Sequence, residues 1–452
     1  MRWCRSLLSI LTAMAWLGAA PAHGQAEKLN MELVGGHDLQ GRGAYQPVVH
    51  AQGGRWIAYI GLHGGSRPNA LSGKTEPNGT AILDVTDPGR PKWLAHIPGA
   101  PDGAQMVRVC DGAALPRADK SKVYLLRSFG NSAHEAWDVS DPAKPALVAT
   151  VASGLQGTHK SWWECDSGIA YLVSGVPGWR TSRMTQIYDL SDPAKPVFIR
   201  NFGLAGQQPG ATGPVPTELH GPISTGPKGN RVYFGHGTSS YGILQIVDRD
   251  KLLRGAKEPT RENLLYPQVG RLDFGPDAGA HTAFPLIGVD GPAADAKGRA
   301  RDFVVVTSES LAEGCREPRQ KAWMVDVGLE ARPEIVASWT VPEASGNFCS
   351  RGGRFGTHSS NESFAPVYYK RVLFFAHFNA GVRAVDVRDP LHPREIGYYI
   401  PEVNAGRRGT AAVHTNNVEV DDRGYIYIVD RAHAGLHILE LTGPARAVAA
   451  LK

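Results

Sequence analysis

Short apolar runs alternate with turn-rich segments along nearly the whole chain, at the spacing of strands and not of helices. Four runs share one phrase: Ile82-Leu-Asp-Val-Thr-Asp-Pro-Gly-Arg-Pro91, Ala136-Trp-Asp-Val-Ser-Asp-Pro-Ala-Lys-Pro145, Ile187-Tyr-Asp-Leu-Ser-Asp-Pro-Ala-Lys-Pro196 and Ala384-Val-Asp-Val-Arg-Asp-Pro-Leu-His-Pro393. Each reads as a strand, an Asp-Pro turn and a second strand. Asp accepts hydrogen bonds from turn amides and Pro presets φ, so turn chemistry alone accounts for the phrase. Weaker copies at 244–248, 324–327 and 437–441 bring the number to seven. Two more strands precede each copy; in the last unit they flank the turn Asp421-Asp-Arg-Gly424. Four short antiparallel strands per unit predict an all-β, seven-bladed β-propeller filling residues 25–452 as one domain. The last unit has only three strands, so the ring is expected to close with residues 31–35, which also removes the exposed sheet edges.

Residues 1–24 read as a secretory leader: Arg2 and Arg5, an apolar run from Leu7 to Ala20, then small residues up to Gly24. The run is too short for a membrane span, so no span is expected and the protein is placed in the periplasm or outside the cell. Losing the two arginines brings the formal charge from +5 to about +3, with Lys and Arg scattered, which argues against nucleic acid. Cys110, Cys165, Cys315 and Cys349 remain, an even number that suits two disulfides. Three pairings are open, and the repeat register favours Cys110–Cys165 with Cys315–Cys349. A thiolate metal site would need a C-x-x-C pair, which the chain lacks.

The segment Asn379-Ala-Gly-Val-Arg-Ala-Val-Asp-Val-Arg-Asp-Pro390, the Leu-Gln-Ile-Val-Asp run ending at Asp248, and the 421–439 stretch resemble LVIVD-repeat proteins. The likeness covers most of the chain after the leader and implies an exported bacterial propeller. It implies little about activity, because propellers host many functions.

Histidines recur where each innermost strand begins: His159, His220, His281, His358 and His414, with Gln105 in the second unit. In the first unit Gln46 is the expected match, and His50 the alternative. Innermost strands line the axis of a propeller, so equivalent positions converge there. A lone histidine at such a place is ordinarily structural. Five in register are costly to bury unless each is paired or holds a cation, so a metal is expected on three or four of them. Second strands run antiparallel to the first, and their exits fall on the same face. These exits carry His63, His236, Glu309, His377 and Arg431, and Glu362 follows His358 by four residues. Acid/base, anion-binding or ring-orienting roles are expected for them, against a plain salt-bridging role for Glu362 and Arg431. The opposite face offers only hairpin turns, so any pocket is expected on the histidine face.

Imidazoles without thiolate suit iron or copper, with manganese or zinc as further options, and disfavour calcium and magnesium. The architecture is similar to two families: carotenoid-cleavage oxygenases, with iron on four histidines, and selenium-binding protein/methanethiol oxidase propellers, associated with copper. The likeness implies a metal-dependent oxidoreductase acting on a small organic or sulfur-containing substrate. Two alternatives stand beside it. One is a manganese-type lyase or hydrolase on uronate sugars, similar in outline to oligogalacturonate lyases. The other is a non-catalytic scaffold that binds a metal or a protein partner.

Overall fold

The computed structural model describes residues 26–402 and 412–451. The predicted leader, residues 1–24, lies outside them. Seven antiparallel sheets, each with four main strands, stand as blades around one axis, and the helices are few and short. The chain is a seven-bladed β-propeller. The innermost strands of blades 1 to 7 are Ala44–Gln52, Val107–Asp111, Ser161–Trp163, Leu219–Ser224, Thr282–Val289, Ser359–Ser360 and Thr415–Val420.

The repeated phrase does what its residues dictate. In blades 1, 2, 3 and 6 it joins the third strand to the fourth. Its two aspartates each accept the amide two residues on: Asp138 from Ser140 (3.0 Å) and Asp141 from Ala143 (3.1 Å), for example. Asp189 with Ser191 and Asp386 with Arg388 repeat the pattern. In every blade the pairing of third with fourth strand carries a register shift, from Ile82/Leu83 in blade 1 to Leu33/Gly35 in blade 7. Such shifts add twist, which lets flat neighbours fan into a ring.

The ring closes as the sequence predicts. Met31–His37 forms the fourth strand of blade 7, with Met31 opposite Leu441. A feature that the sequence left unmarked is Glu27–Leu29, which adds a fifth strand to the edge of blade 6, along Arg394–Ile400. The chain start therefore ties blades 6 and 7 together. Among the described residues, the buried apolar side chains fall into seven clusters, one for each gap between neighbouring blades. Stability is thus spread around the disc, and the axis is left to polar groups.

Both favoured disulfides are formed. Cys110–Cys165 bridges blades 2 and 3 over 55 residues, and Cys315–Cys349 joins the loop before the third strand of blade 5 to the segment leading into blade 6, 34 residues on. No described helix is long and apolar enough to cross a membrane. From loop-closure entropy each bridge contributes about 4 kcal/mol. Replacing Cys110 and Cys165 together by serine should lower the unfolding free energy by that order in denaturant titrations. An unchanged midpoint would show that the bridge constrains nothing.

Candidate metal centre

The residues that meet on the axis are selected by backbone bulges. In blade 4, His220 is the bulged residue between Leu219, opposite His236, and Gly221, opposite Gly235. In blade 1 the same shift picks out Tyr45, between Ala44 and Gln46. In blade 7 it picks out Asn416, between Thr415 and Asn417. His159, His281 and His358 take the equivalent place in blades 3, 5 and 6, their amides bonded to Val173, Thr307 and Ala376 of the adjacent strand. The axial set is therefore Tyr45, His159, His220, His281, His358 and Asn416, with Gln105 at the matching step of blade 2.

This corrects the expected ring at two blades. In blade 1 Tyr45 fills the place, and neither Gln46 nor His50 does; His50 instead pairs with Asp111 at 3.0 Å. In blade 7 His414 lies two residues before the bulge and is drawn aside. Its amide donates to Asp430 (2.7 Å), and its ring Nε2 accepts the Arg354 amide (2.9 Å). Phe378 stands between it and the ring, 5.1 Å from His358 and 5.9 Å from His414.

The four remaining histidines form a continuous arc. His159 and His220 bring their Nε2 atoms within 2.9 Å, and the Tyr45 hydroxyl lies 3.1 Å from His159 Nε2. Ring centroids are 3.6 Å apart for His220 and His281, and 4.5 Å for His281 and His358. His281 Nδ1 lies 2.8 Å from Thr282 Oγ1, and His358 Nδ1 meets the Asn416 carbonyl. Glu309 closes the arc, 3.7 Å from His281 Nε2 and 3.8 Å from His358 Nε2. His220, His281 and Glu309, all buried, can each turn one donor atom to a common point, the three atoms lying within 4.8 Å of one another.

Burial sets the charge state of the arc. Desolvation, followed by neighbouring cations and imidazoles, holds His159, His220, His281 and His358 well below the ordinary histidine range. They are neutral imidazoles, the form that offers lone pairs to a metal. The buried His281 Nε2 has no hydrogen-bond partner, which is costly unless something binds it. Burial likewise keeps the Tyr45 phenol protonated and raises Glu309, against the pull of Arg431 and Arg354. Arg354 donates to Glu309 at 3.0 Å, and the Arg431 guanidinium stands 3.8 Å from the same oxygen.

The other expected participants divide. His63 packs edge-on against Tyr45 at 5.2 Å and joins the site. Glu309 and Arg431 join it as well. His236 and His377 do not. His236 bonds Gln245 inside blade 4 at 3.3 Å, and His377 lies against Phe355, with ring centroids 4.9 Å apart. Both residues lie past the strand that ends at Ala376, and Phe378, in the left-handed region at φ 42°, is the one that faces the axis. Glu362 lies deeper in the channel, as the ion-pair partner of Lys160 and Arg108. Lys160 also donates to Thr282 at 2.9 Å and so touches the support of His281.

The opposite face is not bare, contrary to expectation. A cavity of 1030 Å³ opens there among the hairpins of blades 3 to 5, between Trp162, Asp166, Lys228, Arg231, Glu330 and Phe364. The turns there look inert one by one; only the ring assembles them.

No protein-family model matches the chain, and no curated protein matches it. Solved structures do match. The crystal structure of Raptor from Chaetomium thermophilum superposes with a TM-score of 0.52 at 11% identity, over 86% of this chain and 27% of that one. The chain thus spans about a quarter of that protein's length, and the likeness extends to the propeller fold alone.

Proposed function

We propose that this protein is an exported metal-dependent oxidoreductase acting on a small organic molecule, with one metal ion held by His220, His281 and Glu309. The convergence of these three buried donors, with His281 Nε2 unpartnered, carries the reading. Two imidazoles and one carboxylate form the donor set of non-haem iron oxygenases, so iron is favoured over copper once Glu309 replaces a fourth histidine. Bound iron would supply one-electron and dioxygen chemistry at the open positions.

The chain's own residues have definite tasks. Thr282 and Asn416 fix the ring orientations of His281 and His358 through their Nδ1 contacts. Tyr45, kept protonated by burial, holds a proton at its hydroxyl beside His159. Glu309, braced by Arg354, presents its other oxygen to His281. The two disulfides and the leader-like start support export.

Elemental analysis of protein exported from cells grown without added metal tests the proposal. About one iron per chain is expected, falling at least tenfold in His281→Ala and Glu309→Ala. No bound metal, or metal unchanged in both variants, overturns it. The same donor set also serves hydrolytic zinc. Zinc or manganese in place of iron would move the reading to the lyase or hydrolase class.

A further inference from the structure

Above the arc, two guanidiniums face one buried carboxylate. Arg354 and Arg431 both point to Glu309, from different blades, and share its Oε1 at 3.0 Å and 3.8 Å. Arg354 is further fixed by the Ser310 carbonyl at 3.3 Å and lies over the Phe378 ring at 5.5 Å. Among the described residues the Arg431 guanidinium has no other hydrogen-bond or ion-pair partner, and its side chain is one-quarter exposed. Both arginine side chains are about one-quarter exposed, whereas Glu309 is 8% exposed. The guanidiniums therefore form the mouth of the site and the carboxylate its floor.

Asp430, next to Arg431 in sequence, also acts on its guanidinium. The four arc histidines are neutral, and deeper in the channel Lys160 and Arg108 share the single carboxylate of Glu362. Nearby, Arg183 donates its Nε to the Gly157 carbonyl at 3.2 Å and comes within 3.9 Å of Glu218. A metal ion at His220, His281 and Glu309 would add positive charge below the two arginines. Two partly exposed guanidiniums over one buried carboxylate favour an anionic occupant.

We infer that Arg431 and Arg354 form a subsite for the carboxylate group of the substrate, seated over Glu309 beside the metal position. The inference rests on the proposed metal centre for its purpose, not for its binding. A planar carboxylate matches the guanidinium fork, and Arg354 already donates one hydrogen bond to a carboxylate, that of Glu309. The arginines hold the substrate by a group that does not react and leave its remainder directed at the arc.

Calorimetric titration of the full chain with acetate, acetamide and inorganic phosphate, at constant ionic strength, tests this. It is run on the protein as purified and again after chelation. Acetate should bind, neutral acetamide should not, and Arg431→Gln should weaken acetate at least tenfold, with Arg431→Lys in between. Metal content, measured in parallel, should be unchanged in Arg431→Gln. Acetate binding that survives chelation keeps the subsite even if no metal is ever found, which separates the two readings. Equal affinity for acetate and acetamide, equal affinity in both Arg431 variants and the parent, or binding of phosphate in place of acetate, overturns the carboxylate assignment. A merely structural Arg431 would lower the melting temperature without changing the acetate-to-acetamide ratio.

Discussion

Acidification from pH 7 to pH 4 should unfold this propeller. His134 and His236 are fully buried away from the arc, and desolvation lowers them to about 4 and about 3. His96, beside Glu76, is lowered to about 4, again first by desolvation. In the unfolded chain these rings take up protons near pH 6.5, whereas in the folded protein they stay neutral until far lower pH. Between the two values the unfolded state binds more protons, so stability falls as pH falls. Each ring removes roughly 1.4 kcal/mol per pH unit across its window, or about 3 to 5 kcal/mol in full. Three such rings already match the whole stability of an ordinary domain, roughly 5–15 kcal/mol.

Burial raises Glu309, Glu395 and Glu419, and these carboxyls work in the opposite sense. Glu419 is raised to about 7, by desolvation first and by Glu362 as well. Its folded form holds a proton that the unfolded form releases above about 4.5, so it adds stability as pH falls from 7 towards 4.5. These carboxyls are outnumbered, because burial lowers the four arc histidines and His377 as well. Urea titrations at pH 7, 6 and 5 should show a steep fall in unfolding free energy. His236→Gln should flatten the slope by about one proton, and Glu419→Gln should steepen it. A flat profile between pH 7 and pH 5 would contradict the buried neutral rings.

The same physics explains what was legible beforehand. The Asp-Pro phrase fixes a turn through local hydrogen bonds, so strand order and blade number follow from residues close in sequence, and the strand missing from the last unit pointed to closure by the segment that forms Met31–His37. The disulfide pairing followed because cysteines of neighbouring blades are neighbours in space. Four histidines of the arc were visible for the same reason: each opens its strand in a common register. What failed was resolution at the level of one or two residues. A bulge at Tyr45 and another at Asn416 leave no mark in the residue pattern, yet each decides which side chain reaches the axis. A left-handed turn at Phe378, just past the strand end at Ala376, likewise puts Phe378 inward in place of His377. Arg354 and Lys160 were missed for another reason. Their partners, Glu309 and Glu362, lie 45 and 202 residues away, and no local pattern pairs them.

Lys160→Met should be the most damaging single change in the channel, with a loss of about 3 to 5 kcal/mol. Lys160 is almost wholly buried, and its ammonium donates to Glu362 and to Thr282. Burial alone would raise the Glu362 carboxyl, but Lys160 and then Arg108 outweigh it and keep the group ionised. Methionine has similar bulk, so the packing across Gly221, which lies directly against the Lys160 stem, would survive. What remains is a buried carboxylate with Arg108 alone, and Arg108 is already committed to the Ser161 carbonyl at 2.8 Å. Removing one member of a buried pair strands the other, whereas in the double variant the glutamine amide oxygen can still accept from Arg108. The double variant Lys160→Met/Glu362→Gln should therefore recover much of the loss, with a coupling of about 2 kcal/mol in a double-mutant cycle. Additive losses would show that the two side chains stabilise the channel independently. Arc geometry gives a second readout, because Thr282 braces His281: metal content should fall in Lys160→Met and return in part with the double variant.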